Sequence, residues 1–137
     1  MGLILDSSVI IAAERRRHTV RDILEEVRAS QGDVEIGVSV VSIAELVHGA
    51  YRVKTPAQQE RRLAFINRLA SDLPVYPVTL EIAWLAGRVE GQQEEKGIQL
   101  SFEDLSIGVT ALSLGYAIAT LNVRHFERIP NLTIIKF

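Results

Sequence analysis

The stretch Met1-Gly2-Leu3-Ile4-Leu5-Asp6-Ser7-Ser8-Val9-Ile10-Ile11 is an apolar run that ends in an aspartate and two hydroxyls. Leu3 to Leu5 predict a buried strand, and Ser7-Ser8 ahead of Val9-Ile10-Ile11-Ala12-Ala13 predict a helix start, which places Asp6 at the carboxyl end of the strand. In an open α/β sheet that edge is where sites form. Two further carboxylates stand in similar settings: Glu45 in Ser42-Ile43-Ala44-Glu45-Leu46 and Asp104 in Ser101-Phe102-Glu103-Asp104-Leu105. Each is expected to open a helix. Three acids at converging helix starts point to a bound cation.

The rest of the chain reads outward from that strand. A short helix is expected over Val9–Arg16, and Val20, Ile23, Leu24 and Val27 recur at helical spacing to predict a second. Gln31-Gly32-Asp33 breaks the pattern before a strand over Val34–Ser39, with Ile36 and Val38 facing one way. Ser42 is expected to open a helix running to about Arg52. Pro56 suits the first turn of the next, whose apolar stripe is Leu63, Ile66, Leu69 and Ala70, stopped by Asp72-Leu73-Pro74. Val75–Val78, interrupted by Pro77, reads as an edge strand. Long helices follow over Leu80–Lys96, ended by Gly97, and Ser101–Leu114, closed by Gly115. Tyr116–Leu121 and Leu132–Phe137 complete the strands. Alternating strands and helices imply an α/β fold, a three-layer α/β/α sandwich around a mainly parallel sheet of four to five strands. No repeat or flexible linker divides the chain, so residues 1–137 are expected to form one domain.

Composition narrows the function. With 137 residues, 47% of them hydrophobic, the chain is large enough to bury roughly two thirds of its unfolded surface. Cysteine is absent, which removes disulfides, thiolate metal sites and thiol nucleophiles. No basic leader precedes Asp6 and no apolar run reaches the length of a membrane span, so a cytoplasmic address is expected. A net charge of −2 is poor for a nucleic-acid binder unless positive charge is local. Arg15-Arg16-Arg17-His18 is one such patch, and Arg52, Lys54, Arg61 and Arg62 are a second. Either could equally be a solvated helix face.

Each acid also has a purely structural reading. Asp6 could cap a helix, and Ser42-x-x-Glu45 and Ser101-x-x-Asp104 both match the capping box. The joint pattern favours a shared site. Carboxylates about 5 Å apart repel by roughly 3 kcal/mol per pair at an effective dielectric near about 20, more than a cap contributes. A hard divalent cation removes that penalty. With no cysteine and three histidines, magnesium or manganese is favoured over zinc.

Four ordered blocks carry a resemblance over nearly the whole chain: Leu5-Asp6-Ser7-Ser8-Val9-Ile10; Ala44-Glu45-Leu46-Val47-His48-Gly49; Asp104-Leu105-Ser106-Ile107-Gly108-Val109-Thr110-Ala111-Leu112; and Thr120-Leu121-Asn122-Val123-Arg124-His125-Phe126-Glu127-Arg128-Ile129-Pro130. Together they resemble the successive motifs of PIN-domain proteins, and most of all the VapC toxins of type II toxin–antitoxin modules. The resemblance implies a magnesium-dependent endoribonuclease held inactive by a cognate VapB-type antitoxin, with DNA engaged only through that antitoxin, and a homodimer. It places Asp6, Glu45 and Asp104 at the acidic ligand positions, Ser8 at a hydroxyl that orients a neighbouring site residue, and Asn122 after the threonine of the fourth motif. The chain departs from the pattern at His125, where many members carry an acid, at Gly108-Val109, and at Asn131.

The implied chemistry is in-line hydrolysis by a metal-activated water, leaving a 5′-phosphate and a 3′-hydroxyl. Asp6 and Asp104 would hold the metal, with Glu45 completing its shell or orienting the water. Arg15, Arg16, Arg52 and Arg124 are candidates for contacting RNA phosphates, while Glu103 reads as solvated surface or as a residue behind the ligands, His18 as a loop residue and His48 as a polar helix residue. Apolar helices at Val20–Val27 and Leu63–Leu69 exceed what one sheet face needs and are expected to serve the dimer, whose grooves would receive an antitoxin Arg or Lys against the acids. Two competing readings remain. A phosphatase with an Asp-x-Asp nucleophile is disfavoured by Ser8 and by the lack of a Gly-rich phosphate loop. A catalytically impaired PIN-like module that only binds RNA or protein is kept open by His125.

Overall fold

A computed structural model describes residues 1–137. In chain order the elements are β1 (Gly2–Leu5), α1 (Ser7–Arg15), α2 (Val20–Gln31), β2 (Glu35–Ser39), α3 (Val40–Ala50), α4 (Pro56–Asp72), β3 (Val75–Tyr76), α5 (Leu80–Glu95), α6 (Phe102–Leu114), β4 (Ala117–Thr120), α7 (Val123–Phe126) and β5 (Ile134–Lys136). The five strands form one sheet in the order β3-β2-β1-β4-β5, and every pairing is parallel. The expected α/β sandwich with four to five strands is what the chain adopts.

β1 is a continuous apolar run because both of its faces are covered. Leu3 and Leu5 join one core with Ile10 and Ala13 of α1, Val20, Ile23 and Val27 of α2, and Ile66 and Leu69 of α4. Ile4 points the other way, into a second core with Ile82 and Val89 of α5, Leu105 and Ile107 of α6, and Phe126 of α7. β4 alternates in step, Ala117 and Ala119 toward the first core and Ile118 toward the second. The apolar stripes of α2 and α4 are therefore used inside the chain, which corrects the expectation that they are surplus and reserved for a dimer. The apolar side chains left in the open lie elsewhere, chiefly Leu80 and Trp84 of α5 and Phe102 of α6. Ala70, expected on the buried stripe of α4, is exposed, and the larger Phe65 packs against the core in its place.

Two departures from the expected sequence pattern have packing causes. A β-carbon on Gly108 would overlap Cδ1 of Ile129, so this turn of α6 sits against the segment after α7 closer than alanine permits. Asn131 has φ 67°, the left-handed region, which asparagine tolerates better than most residues after glycine. No helix of the chain is long and apolar enough to cross a membrane.

Chain order reverses at β1: β2 lies on one side and β4 on the other. The carboxyl ends of β1 and β4 thus flank the switch point of the sheet, where helices diverge and leave a crevice. Asp6 follows β1 there, and Leu121-Asn122 follow β4.

Candidate metal and active site

Asp6 occupies the N-cap position of α1, yet its side chain caps nothing. Its backbone N–H continues the ladder by donating to Ala119 O at 2.9 Å. Its Oδ2 accepts from Ser8 Oγ at 2.6 Å and from Thr120 Oγ1 at 2.9 Å. Those hydroxyls are themselves held, because Leu121 N–H donates to Ser8 Oγ at 3.1 Å and Asn122 N–H donates to Thr120 Oγ1 at 2.9 Å. A carboxylate only 3% exposed is costly unless hydrogen-bonded, and here two hydroxyls fix one oxygen while the other accepts no protein hydrogen bond. The capping reading of Asp6 is thereby set aside. Ser8 does orient a neighbouring site residue, and that residue is Asp6.

Glu45 lies on α3, but not at its start. The helix begins at Val40, with Ser39 as N-cap accepting from Val41 N–H at 3.1 Å, so Ser42 is an interior, fully buried helix residue. The Ser42-x-x-Glu45 capping box is not formed, and Glu45 projects from the second turn. Two serines three positions apart offered two helix starts, and β2 passing into α3 without a loop selects the earlier. Oε1 of Glu45 is buried without a hydrogen-bond partner. Burial raises the pKa of this carboxyl; the Ser7 hydroxyl pulls the other way, and the charges of Asp6, Asp104 and Glu103 add to the rise.

Asp104 does sit in the first turn of α6. Ser101 Oγ accepts from Asp104 N–H at 3.1 Å, which is one half of the capping box. The Asp104 carboxylate instead lies with Oδ2 3.1 Å from Nδ1 of His125. His125 belongs to α7, a single turn that the sequence reading missed, since four residues are too few to show a period.

Asp6, Glu45, Asp104 and Asn122, taken as site residues from the sequence, line one open cleft of about 600 Å³. Glu103 and His48 also line it, Glu103 beside Asp104 and His48 as a polar residue of α3. Thr120 is a site residue that sequence reasoning passed over: its role comes from contact with Asp6, 114 positions away along the chain. The arginines divide. Arg52 lines the cleft. Arg15 lines a neighbouring groove, Arg16 pairs with Glu26 at 3.7 Å, and Arg124 is exposed on α7 outside the cleft lining.

The donor set suits a hard cation held partly by water. All the carboxylates are oxygen ligands, Glu45 Oε1 and Asp6 Oδ1 lack hydrogen bonds within the chain, and no cysteine competes. No three acidic or histidine side chains are already gathered into a ligand shell. An ion that keeps several waters fits this looser arrangement better than one needing an all-protein cage.

Known proteins resemble this chain over most of its length. Residues 3–132 match the PIN domain family. A protein named Ribonuclease VapC from Rickettsia bellii is 30% identical over 135 residues, covering 98% of this chain and 96% of its own. The tRNA(fMet)-specific endonuclease VapC of Salmonella typhimurium is 32% identical over 97 residues, 71% of each chain. Among solved structures, a chain of the DNA-bound VapBC complex from Salmonella typhimurium superposes with a TM-score of 0.82 at 26% identity, covering 99% of this chain and 98% of that one. The carboxylate cleft at the switch point and these matches have one meaning: the chain belongs to the PIN-domain family, among its VapC ribonucleases.

Proposed function

We propose that this protein is the toxin of a type II toxin–antitoxin pair, an endoribonuclease that uses a divalent cation, magnesium or manganese, to hydrolyse RNA. The observation that carries the reading is Asp6, clamped through one oxygen by Ser8 and Thr120, in one cleft with the half-buried, incompletely bonded Glu45 and with Asp104. Relatives named VapC ribonucleases and structural neighbours that are VapBC complexes support it.

Asp6 and Asp104 would hold the cation, with Glu45 as a third oxygen donor or through water. Bound there, a cation would supply neutralising charge to the phosphodiester and make an attacking water more acidic. Glu45, whose pKa is raised, is suited to take a proton from the attacking water. Water attacks phosphorus, the bond to the 3′-oxygen breaks, and the leaving oxygen takes up a proton, giving 5′-phosphate and 3′-hydroxyl ends. Asn122 presents a neutral side chain at the same rim. Arg52 in the cleft and Arg15 beside it are the arginines best placed for phosphates, with Arg124 farther out and Arg16 held by Glu26.

A single domain over residues 1–137, a cytoplasmic address, a homodimer and a VapB-type antitoxin belong to the same reading. The exposed Leu80 and Trp84 are the apolar surface open to a second copy. An antitoxin Arg or Lys at the carboxylates would replace the cation and silence the site. One observation favours a second reading, an impaired PIN-like module that binds RNA or protein without cutting: His125 stands against Asp104 where an acid would strengthen the site. Brief expression of the chain alone in bacteria separates the two. The nuclease halts growth and leaves new RNA 5′ ends, both suppressed by the co-expressed antitoxin; the binding module leaves no new ends.

A further inference from the structure

We propose that a groove between the end of α1 and the first turns of α4 binds the sugar–phosphate backbone of the RNA away from the bond being cut. The inference rests on the RNA-cleaving reading and extends it. Arg15 and Arg17 come from the end of α1, Arg61 and Arg62 from α4, and together they line an open groove of about 450 Å³ whose lining holds one carboxylate, Glu14, and one apolar side chain, Phe65. Arg62 is 3.5 Å from Glu14, whereas Arg15, Arg17 and Arg61 enter no ion pair. In a chain of net charge −2, this is a local concentration of unneutralised positive charge. Guanidinium groups recognise phosphate through paired N–H donors, and such contacts release counterions whatever the base sequence.

A second observation concerns Arg17 itself. α1 ends with His18 N–H donating to Ala13 O and Arg17 N–H to Glu14 O, leaving Arg17 at φ 63°. α5 and α6 close with the same pair of bonds, and there the left-handed position holds Gly97 (φ 75°) and Gly115 (φ 69°). Glycine is the unstrained choice at this point of a helix. Arginine stands at the one such end that opens on the groove, and a strained backbone kept at a charged residue points to a role for the charge.

The groove is also connected to the cleft. Ser7 lines the carboxylate cleft and Arg15 the groove, and the nine residues of α1 between them span about 13 Å. A smaller pocket joins the two, sharing Glu14, Arg15, Arg62 and Phe65 with the groove and Ile11, Glu45 and Gly49 with the cleft. A strand with its reactive phosphate at Asp6 can therefore lay flanking phosphates on the arginines.

The test measures binding of long poly-uridine and of a short oligo-uridine, too short to reach the groove, to the full chain in EDTA across a salt series. Arg17→Gly combined with Arg61→Gln is expected to weaken long poly-uridine about tenfold and to flatten its salt dependence, while the short probe binds as to wild type. Arg17→Gly alone should melt at or above the wild-type temperature, so lost affinity is not lost folding, and Arg17→Lys should keep most of the affinity. Unchanged long-probe affinity and salt slope overturn the proposal, as does an equal loss for both probes. Retained RNA binding with lost antitoxin binding also overturns it and gives the groove to protein. Cleavage by wild type in magnesium is scored separately, so failure of the nuclease reading shows as RNA binding without cutting.

Discussion

Nδ1 of His125 lies 3.1 Å from Oδ2 of Asp104, and the two side chains are 54% and 22% exposed. The residue at which the chain departs from the motif it resembles thus meets a candidate metal ligand directly. A histidine adds no fixed negative charge there. On the proposed reading the cation is held less tightly than an additional acid would hold it, and a single bound ion is expected.

A rate series follows from that contact. His125→Ala should cost no more than about tenfold, about 1.4 kcal/mol, and His125→Asp should lower the magnesium concentration needed for half-maximal cleavage. If His125→Ala proved as damaging as Asp104→Ala, His125 would be a catalytic acid or a phosphate contact.

Asp6→Ala and Asp104→Ala should both abolish cleavage, but they should differ in stability. Ser101 still caps α6 in Asp104→Ala, so that loss is limited to the exposed contact with His125, and either substitution relieves repulsion with Glu45. Removing Asp6 deprives the Ser8 and Thr120 hydroxyls of their shared acceptor, a loss of about 1–3 kcal/mol. Urea titration of the two metal-free variants checks the order; an Asp6→Ala protein as stable as Asp104→Ala would contradict it.

Glu45 links the site to pH. Burial raises its pKa, so the folded state holds a proton to higher pH than the unfolded chain does. The contribution of Glu45 to metal-free stability should therefore be complete below its unfolded pKa and be lost as pH rises through the folded value. Glu45→Gln should remove that fall and raise the metal-free melting temperature at neutral pH. Magnesium should raise the wild-type melting temperature and do so less in Glu45→Gln. A pH profile identical in wild type and variant would refute the assignment.

Packing around α6 gives a prediction independent of the chemistry. Gly108→Ala must displace the buried Ile129 and should destabilise by about 1–2 kcal/mol after its helix-propensity gain. Gly91→Ala, with open space around it, should stabilise by up to about 1 kcal/mol. Equal effects at both glycines would show that the segment after α7 yields freely.

Local signals made much of this protein legible in its sequence. Leu3-Ile4-Leu5 reads as a central strand because burial on both faces demands an unbroken apolar run, and Asp6 then falls at a switch point by topology alone. What depends on contacts between distant segments was hidden. Thr120 matters because β4 lies beside β1, and Ser39 wins over Ser42 because β2 runs straight into α3. The meeting of His125 with Asp104 joins a four-residue helix to the first turn of α6. Arg15 and Arg61 lie far apart in the chain, yet their helices bring them into one groove.

Whether the carboxylate cleft cuts RNA with a divalent cation is decided by cleavage of RNA by purified wild type and by Asp104→Asn, in magnesium and in EDTA, with the chemistry of the new 5′ ends determined. Magnesium-dependent cutting that leaves 5′-phosphate ends and disappears both in EDTA and in Asp104→Asn is expected. Cutting that survives EDTA, or an Asp104→Asn protein that cuts at the wild-type rate, would contradict that expectation.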